Sequence, residues 1–307
     1  MKSSMKNSIA KSQILGLILI CPVLICALKL VLPELPASPF LRESFWAHKV
    51  DAKAEYDMVF VGDSRVYRGI DPEVFERGLY PVVKCFNFGF SSAGLDSFLL
   101  GHASRLLNPN GRKILVIGVS VNSFLPSSLE NEHLRSVLKW NKKDIWIKKN
   151  LYPHLTYFDS YTPSDIYKIE RGEKYFEQYH LNTGYAASQK VPMDSTSALS
   201  AYIAHFSRQN NEMRVGAEFL GYIKRLKEVG IKIIFVRIPT SHAMRVLEDR
   251  YGLVTIHQFQ HEMNKLGLKW VEFAGRSYES YDGSHLDESS AWRFSIELAE
   301  MINICID

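Results

Sequence analysis

Two short motifs, far apart in the chain, carry side chains that together can perform nucleophilic chemistry. Ser64 lies in the motif GDSR, and Asp282 and His285 lie three residues apart in YDGSH near the other end. A serine hydroxyl becomes a nucleophile when an imidazole within hydrogen-bond reach removes its proton. A carboxylate on the second ring nitrogen fixes the tautomer and stabilises the imidazolium. The sequence therefore predicts Ser64 as nucleophile, His285 as base and Asp282 as orienting acid.

The same chemistry needs donors for the negative oxygen of a tetrahedral intermediate, each of which is worth about 3 kcal/mol. Two segments can supply them: Gly89 in FNFG offers a backbone N–H, and Asn122 in GVSVN offers a side-chain amide. We expect the N–H groups of Gly89 and Ser64 to hold the oxyanion. Asn122 either assists them or is a turn residue.

Each of these residues also has an ordinary structural explanation. Ser64 can cap a helix, Asp282 can cap or form a turn, and His285 can be an exposed polar residue. Their placement favours catalysis, because the motifs follow predicted strands, and reacting groups in open α/β sheets gather at the carboxyl ends of strands. Arg65 and Arg68 flank the nucleophile, which makes them candidate contacts for an anionic substrate group or surface residues.

Alternating strands and helices are predicted for most of the chain. Short apolar runs at 58–61, 82–86, 114–119, 231–236 and 268–273 predict strands, and helical patterns run over about 96–107, 212–229, 243–266 and 288–304. This alternation favours a three-layer α/β/α domain with a parallel sheet, over residues 57–307. Residues 124–210 have no clean period and are predicted to form an insertion over the sheet, because a simple crossover needs far fewer residues.

The N-terminal region, residues 1–32, is predicted to be a cytoplasmic tail and a transmembrane anchor. Residues 14–32 hold one charge, Lys29, in nineteen residues, enough at about 1.5 Å per residue to span a hydrocarbon core of about 30 Å. The preceding lysines place the N-terminus in the cytoplasm and the domain outside it. A cleaved signal peptide is the alternative. Residues 33–56, rich in proline, are predicted to be an extended linker.

Composition excludes several other classes of protein. The formal net charge is +4, and the four lysines of residues 1–32 account for all of it, so the charge gives no argument for a nucleic-acid partner. Four cysteines are too few for a disulfide scaffold, and the sequence leaves open whether Cys85 and Cys305 pair. No metal-ligand spacing and no glycine-rich phosphate loop occur, so no cofactor is implied.

These motifs resemble the conserved blocks of the SGNH (GDSL-type) hydrolase superfamily. The block of the nucleophile is matched by Ser64 in VFVGDSR, the glycine donor by Gly89 in FNFGFSSAG, and the final block by Asp282 and His285. The third block departs from the family pattern Gly-x-Asn, because this chain reads GVS there, with Asn122 two residues later.

The resemblance covers residues 57–304, except the insertion, and implies a flavodoxin-like α/β/α fold that needs no cofactor. The layout is similar to a membrane-anchored, extracytoplasmic branch of the superfamily. It implies a serine esterase or O-acyltransferase acting on envelope or exported polysaccharides, with an acylated or acceptor glycan as partner, and it allows for a membrane protein that donates acyl groups. The alternative is a non-catalytic envelope protein that binds or assembles glycans on the same fold.

Overall fold

The computed structural model describes residues 38–307, except 80–82, 131, 157–158, 160–166, 168–170, 172–174, 210–212, 214, 216, 274 and 307, together with scattered positions between 14 and 27. The predicted anchor therefore lies largely outside the described residues. Within the part that is described, no helix combines the length and the apolar character needed to cross a bilayer. The side chain of Cys305 is also outside, whereas Cys85 is a buried free thiol.

A five-stranded parallel sheet forms the centre of the domain. The strands are β1 (Met58–Gly62), β2 (Cys85–Gly89), β3 (Ile114–Val119), β6 (Lys232–Arg237) and β7 (Lys269–Val271), in the order β2-β1-β3-β6-β7. All residues of the first three strands are buried, as expected for strands covered on both faces. The predicted α/β class is confirmed, and the strand order is that of flavodoxin-like sheets.

Helices cover both faces of the sheet. Those before the insertion are α1 (Pro39–Val50), α2 (Ser64–Gly69), α3 (Pro72–Arg77) and α4 (Ser97–Ser104), and those after it are α10 (Ala217–Glu228), α11 (His242–Lys265) and α12 (Glu288–Ile306). One core cluster joins the sheet to α4, α10 and α11, for example through Phe219 and Phe259. The other joins it to α3 and α12 through Phe75 and Phe294. The three layers thus have two separate cores.

The chain between β3 and β6 adds elements outside the main sheet. A 3₁₀ turn (Val121–Phe124) leads into α5 (Pro126–Glu130), α6 (Glu132–Leu138), α7 (Lys142–Asn150) and α8 (Tyr152–Leu155), and an antiparallel hairpin of β4 (Tyr175–His180) and β5 (Ala186–Val191) precedes α9 (Leu199–Gln209). The hairpin contacts β2, since Asn87 N donates to Thr183 O at 2.8 Å. The hairpin of this segment therefore packs beside β2.

The extended linker predicted over residues 33–56 is wrong for its central part. Pro39–Val50 form helix α1, with Ser38 as N-cap and Pro39 in the first turn, where a missing N–H costs nothing. The helix buries Phe45 and Trp46 against Tyr67 and Phe90. The prolines predict extended backbone, but one of them starts a helix that belongs to the domain.

This helix should contribute strongly to stability. Trp46 is 4% exposed, and its replacement by alanine should lower the free energy of unfolding by about 3–5 kcal/mol through lost burial and a cavity. Trp292 is 52% exposed, so the matched Trp292→Ala change should stay within about 0.5 kcal/mol. Urea unfolding followed by circular dichroism measures both. Equal losses in the two variants would mean that α1 does not pack as described.

Candidate active site

The serine lies at the turn that joins β1 to α2. Gly62 ends β1 with φ of +156°, and a Cβ there would lie 2.6 Å from a methyl of Val66, so the close approach of helix and strand requires glycine. Asp63 caps α2 by accepting the N–H of Arg65 at 2.9 Å, and it also accepts the hydroxyl of Ser120 at 2.7 Å. Ser64 is thereby fixed as the first residue of α2, at the carboxyl edge of the sheet.

The loop before α12 brings the other two predicted residues to this serine. Ser64 Oγ lies 2.8 Å from His285 Nε2, and His285 Nδ1 lies 2.7 Å from Asp282 Oδ2. The other carboxylate oxygen, Oδ1, accepts the N–H groups of Ser284 and His285, each at 2.8 Å. The structure therefore brings Ser64, His285 and Asp282 together in one hydrogen-bonded chain.

Local contacts give the loop its shape. Ser280 Oγ donates to His285 O at 2.6 Å and accepts Gly283 N at 2.8 Å, which closes the loop upon itself. Gly283 has φ of +97°, a conformation that other residues rarely adopt. The ring of Tyr281 stacks on His285, with centroids 5.7 Å apart and planes at 11°. The imidazole is thus held on one side by an aromatic ring.

The charges around the histidine suit a general base. Burial lowers the pKa of His285 below its usual range, the charge of Arg68 lowers it further, and Asp282 acts in the opposite direction. Burial tends to raise the pKa of Asp282, but the neighbouring His285 and its hydrogen bonds bring it down to about 2. At neutral pH the pair is therefore a neutral imidazole beside a carboxylate.

This protonation state fixes the direction of the hydrogen bonds. A carboxylate can only accept, so the proton of the neutral ring lies on Nδ1 and is donated to Asp282. His285 Nε2 is then an acceptor, and the hydroxyl of Ser64 donates to it. This arrangement allows the ring to take the serine proton as the oxygen attacks a carbonyl carbon.

The predicted role of Gly89 as an oxyanion donor is wrong. Its N–H donates to Asn87 Oδ1 at 2.9 Å, and its carbonyl accepts Lys49 Nζ at 2.7 Å, so both backbone groups are already used. Asn87 is itself fully buried and donates to the carbonyls of Val66 and Ile70. Sequence patterns end the strand at this polar residue, whereas in the structure β2 runs through it because the amide is satisfied.

The other expected donors lie at the same edge. Ser64 N stands at the start of α2 and has no hydrogen-bond partner among the described residues. Asn122 lies in the 3₁₀ turn after β3, and among the residues described its side-chain amide has no partner either. Ser120, two residues before Asn122, donates its hydroxyl to Asp63. The role of Asn122 remains a prediction.

A strained turn follows β2, and the sequence motifs do not indicate it. Ala93 N donates to Phe90 O, which closes a tight turn around Ser91 and Ser92. Ser92 has φ of +54°, uncommon for a residue other than glycine, and strain of this kind clusters at functional sites. Both serines line a cavity. Sequence alone gives no signal for it, because serine does not mark a left-handed residue.

The predicted substrate contact through Arg65 is wrong. Arg65 is 1% exposed, and its Nη1 pairs with Glu248 Oε1 at 2.5 Å. Its Nε donates to Ser284 Oγ at 3.1 Å, within the loop that carries the triad. An arginine directly after a predicted nucleophile looks accessible in sequence, but the short helix α2 turns this side chain into the protein.

Arg68, the second arginine of α2, does face a cavity. It lines a space of about 770 Å³ together with Trp46, Tyr67, Ser91, Ser92 and Phe176. Its Nη1 donates to the hydroxyl of Tyr281 at 2.9 Å, and Tyr281 stacks on His285. Tyr67 and Arg68 follow Ser64 by one turn of α2, so the cavity begins one helical turn from the nucleophile, and the three triad residues themselves do not line it.

Among the residues that the structure describes, no group of three or more His, Cys, Asp or Glu side chains is placed to hold a metal ion.

Comparison with known proteins adds little to this geometry. No family model matches the chain, and no curated protein matches it. Similar solved structures include a candidate arylesterase from Agrobacterium tumefaciens str. C58, with a TM-score of 0.40, 13% identity and coverage of 81% of this chain and 99% of that one. They also include a carbohydrate acetylesterase from Sinorhizobium meliloti and an inhibitor-bound aryl esterase from M. smegmatis, each with a TM-score of 0.38, 11% identity and the same coverage. Likenesses this distant carry no argument about activity.

Proposed function

We propose that the protein is a serine esterase or O-acyltransferase of the SGNH type, which works through an acyl-enzyme on Ser64. The observation that carries the proposal is the chain of hydrogen bonds from Ser64 through His285 to Asp282, with both distances below 3 Å. Ser64 and His285 are 221 residues apart in sequence, and Asp282 is three residues from His285. The lowered pKa values of His285 and Asp282 favour the neutral imidazole and the carboxylate that the chemistry needs. A non-catalytic binding protein has no need of this alignment.

The reaction follows from the geometry. His285 Nε2 takes the hydroxyl proton of Ser64 as Oγ bonds to the carbonyl carbon of the ester, and Asp282 stabilises the imidazolium. The ring then returns the proton to the leaving alcohol, and water or a second alcohol attacks the acyl-enzyme in the same way. The N–H of Ser64, those of the Ser91–Ser92 turn and the amide of Asn122 are the donors proposed for the oxyanion.

A glycan is the proposed partner, as ester-bearing substrate or as acceptor. The cavity one helical turn from Ser64 offers the aromatic rings of Trp46, Tyr67 and Phe176 together with Gln178. Aromatic faces with a few polar groups are typical of sites that fix the orientation of a small ligand. We propose that this glycan is an envelope or exported polysaccharide. The proposal also includes an extracytoplasmic domain held by an N-terminal anchor, and a membrane protein that donates acyl groups. These three parts rest on the sequence.

Covalent labelling tests the proposal. A fluorophosphonate probe should label the wild-type protein on the peptide that contains Ser64, and it should not label a Ser64→Ala variant. Ser289→Ala, which removes an exposed serine outside the cluster, should be labelled like the wild type. Absence of label in all three proteins would favour the glycan-binding alternative.

A second measurement separates esterase from transferase. Hydrolysis of an aryl acetate is followed with and without a glycan acceptor, and the products are analysed by mass spectrometry. Acetylated glycan supports transfer. Release of acetate alone, unchanged by the acceptor, supports hydrolysis.

A further inference from the structure

A second buried chain of polar contacts lies behind the triad. Glu248 of α11 pairs with Arg65 at 2.5 Å, and Arg65 donates to Ser284 at 3.1 Å. Ser284 donates in turn to the hydroxyl of Tyr202 on α9 at 2.9 Å, and the guanidinium of Arg65 lies 5.7 Å from the centre of the Tyr202 ring. Glu248 Oε2 also lies 3.6 Å from Arg237, at the end of β6.

These contacts connect the two halves of the catalytic cluster. Arg65 is covalently next to Ser64, and Ser284 is covalently next to His285. The contact between Arg65 and Ser284 therefore connects α2, which carries Ser64, to the loop that carries His285. Both contacting residues are next to a reacting residue in sequence. Glu248 holds the same guanidinium at a second atom, Nη1.

The charged groups of this chain are deeply buried. The side chains of Arg65 and Glu248 are each 1% exposed, and Ser284 is fully buried. Removing two charges from water is costly, and an apolar pair of similar volume is often at least as stable. A planar guanidinium, however, holds its partners in fixed directions, which an apolar pair cannot do. Geometric precision is the property that this arrangement supplies.

We propose that Glu248, Arg65 and Ser284 form a positioning bracket that holds the imidazole of His285 in line with the hydroxyl of Ser64. The inference rests on the proposed function. None of the three touches the reacting atoms, so they act through the loop. Displacement of a catalytic group by about 1 Å can cost a hundredfold in rate, so loss of the bracket should lower kcat far more than it changes KM.

The bracket also affects how readily His285 is protonated. His285 faces Asp282 on its own loop, Arg65 and Arg68 on α2, and the ring of Tyr281. Both arginines disfavour the imidazolium, and Glu248 offsets the charge of Arg65. Removal of the carboxylate at position 248 should therefore make His285 harder to protonate and move the acid limb of the pH–rate profile to lower pH.

Two variants and one control test the bracket with an aryl acetate. Glu248→Gln and Ser284→Ala should each lower kcat by about ten- to a hundredfold, with KM within about twofold of wild type. Only Glu248→Gln should shift the acid limb. Asp249→Asn removes the next carboxylate of α11, which pairs with Arg237 and not with Arg65, and should retain the wild-type rate. Thermal unfolding shows which variants are folded.

Three outcomes decide the matter. A rate loss in the first two variants, with the control unchanged, supports the bracket. Wild-type rates in all three variants overturn it, and so does a rise in KM without loss of kcat, because that result would mean that Glu248 and Ser284 affect substrate binding and not the alignment of His285.

A readout that does not need turnover separates this inference from the proposed function. The Nδ1 proton that His285 donates to Asp282 should give a downfield ¹H NMR signal in the wild-type protein. The signal should broaden or shift in Glu248→Gln and in Ser284→Ala, but not in Asp249→Asn. If the wild type cleaves no ester and takes no label, the proposed function fails, and this signal alone decides the bracket: a change supports it and no change overturns it.

Discussion

Replacing His285 by alanine is expected to lower the rate of ester cleavage by about a millionfold, close to complete loss. The ring is the only base within hydrogen-bond distance of Ser64 Oγ among the described residues, at 2.8 Å. Without it the hydroxyl keeps its proton and is a poor nucleophile. Steady-state hydrolysis of an aryl acetate at pH 7 measures the loss, and fluorophosphonate labelling of Ser64 should slow in parallel.

The matched control is His261→Ala, which removes an exposed histidine of α11 and should leave the rate unchanged. Circular dichroism and thermal unfolding show whether each variant keeps the fold. A folded His285→Ala variant with near wild-type activity would mean that another group activates Ser64, and the proposed mechanism would fall. A partial loss of only a few-fold would have the same meaning.

The three catalytic candidates could be predicted for two reasons. Each lies in a short sequence motif, and the topology of a parallel sheet determines where those motifs come together. Ser64 directly follows an apolar strand, and Asp282 and His285 precede the last helix, so a parallel sheet brings both motifs to the same edge. The alternation of strands and helices needs only the pattern of apolar residues. No side-chain direction has to be known for either inference.

The predictions that failed depended on side-chain directions and on distant partners. The N–H of Gly89 looks available in sequence, but Asn87, two residues earlier, accepts it. Arg65 looks like a surface charge, but its partner Glu248 is 183 residues away and fully buried. Nothing local to either residue shows these contacts.

The prediction of an extended linker at the position of helix α1 failed for a different reason. Residues 33–39 contain three prolines, and only the last of them occupies the first turn of a helix. The apolar face that follows, with Phe45 and Trp46, becomes significant only once its docking surface of Tyr67 and Phe90 is known. Proline signals a break in structure, and it marks a start as readily as an extended linker.

Asp282→Asn should lower kcat by about ten-thousandfold while leaving the fold intact. An amide can donate to His285 Nδ1, which favours the tautomer with the proton on Nε2, and that nitrogen then cannot accept the proton of Ser64. The carboxylate also raises the pKa of His285, so its loss should move the acid limb of the remaining activity to lower pH. A pH–rate profile between about pH 4 and 9 measures both effects.

The sign of the pH effect makes this variant informative. His285 has a lowered pKa, so the neutral and active ring is lost only as the pH falls through a value below its usual 6.5. Removal of the negative partner can only lower that value further. Asp51→Asn, which changes an exposed carboxylate at the C-terminal end of α1, should change neither the rate nor the profile. If Asp282→Asn keeps the rate, or moves the acid limb upwards, the carboxylate does not orient and stabilise the ring, and the site is a Ser–His pair that works without it.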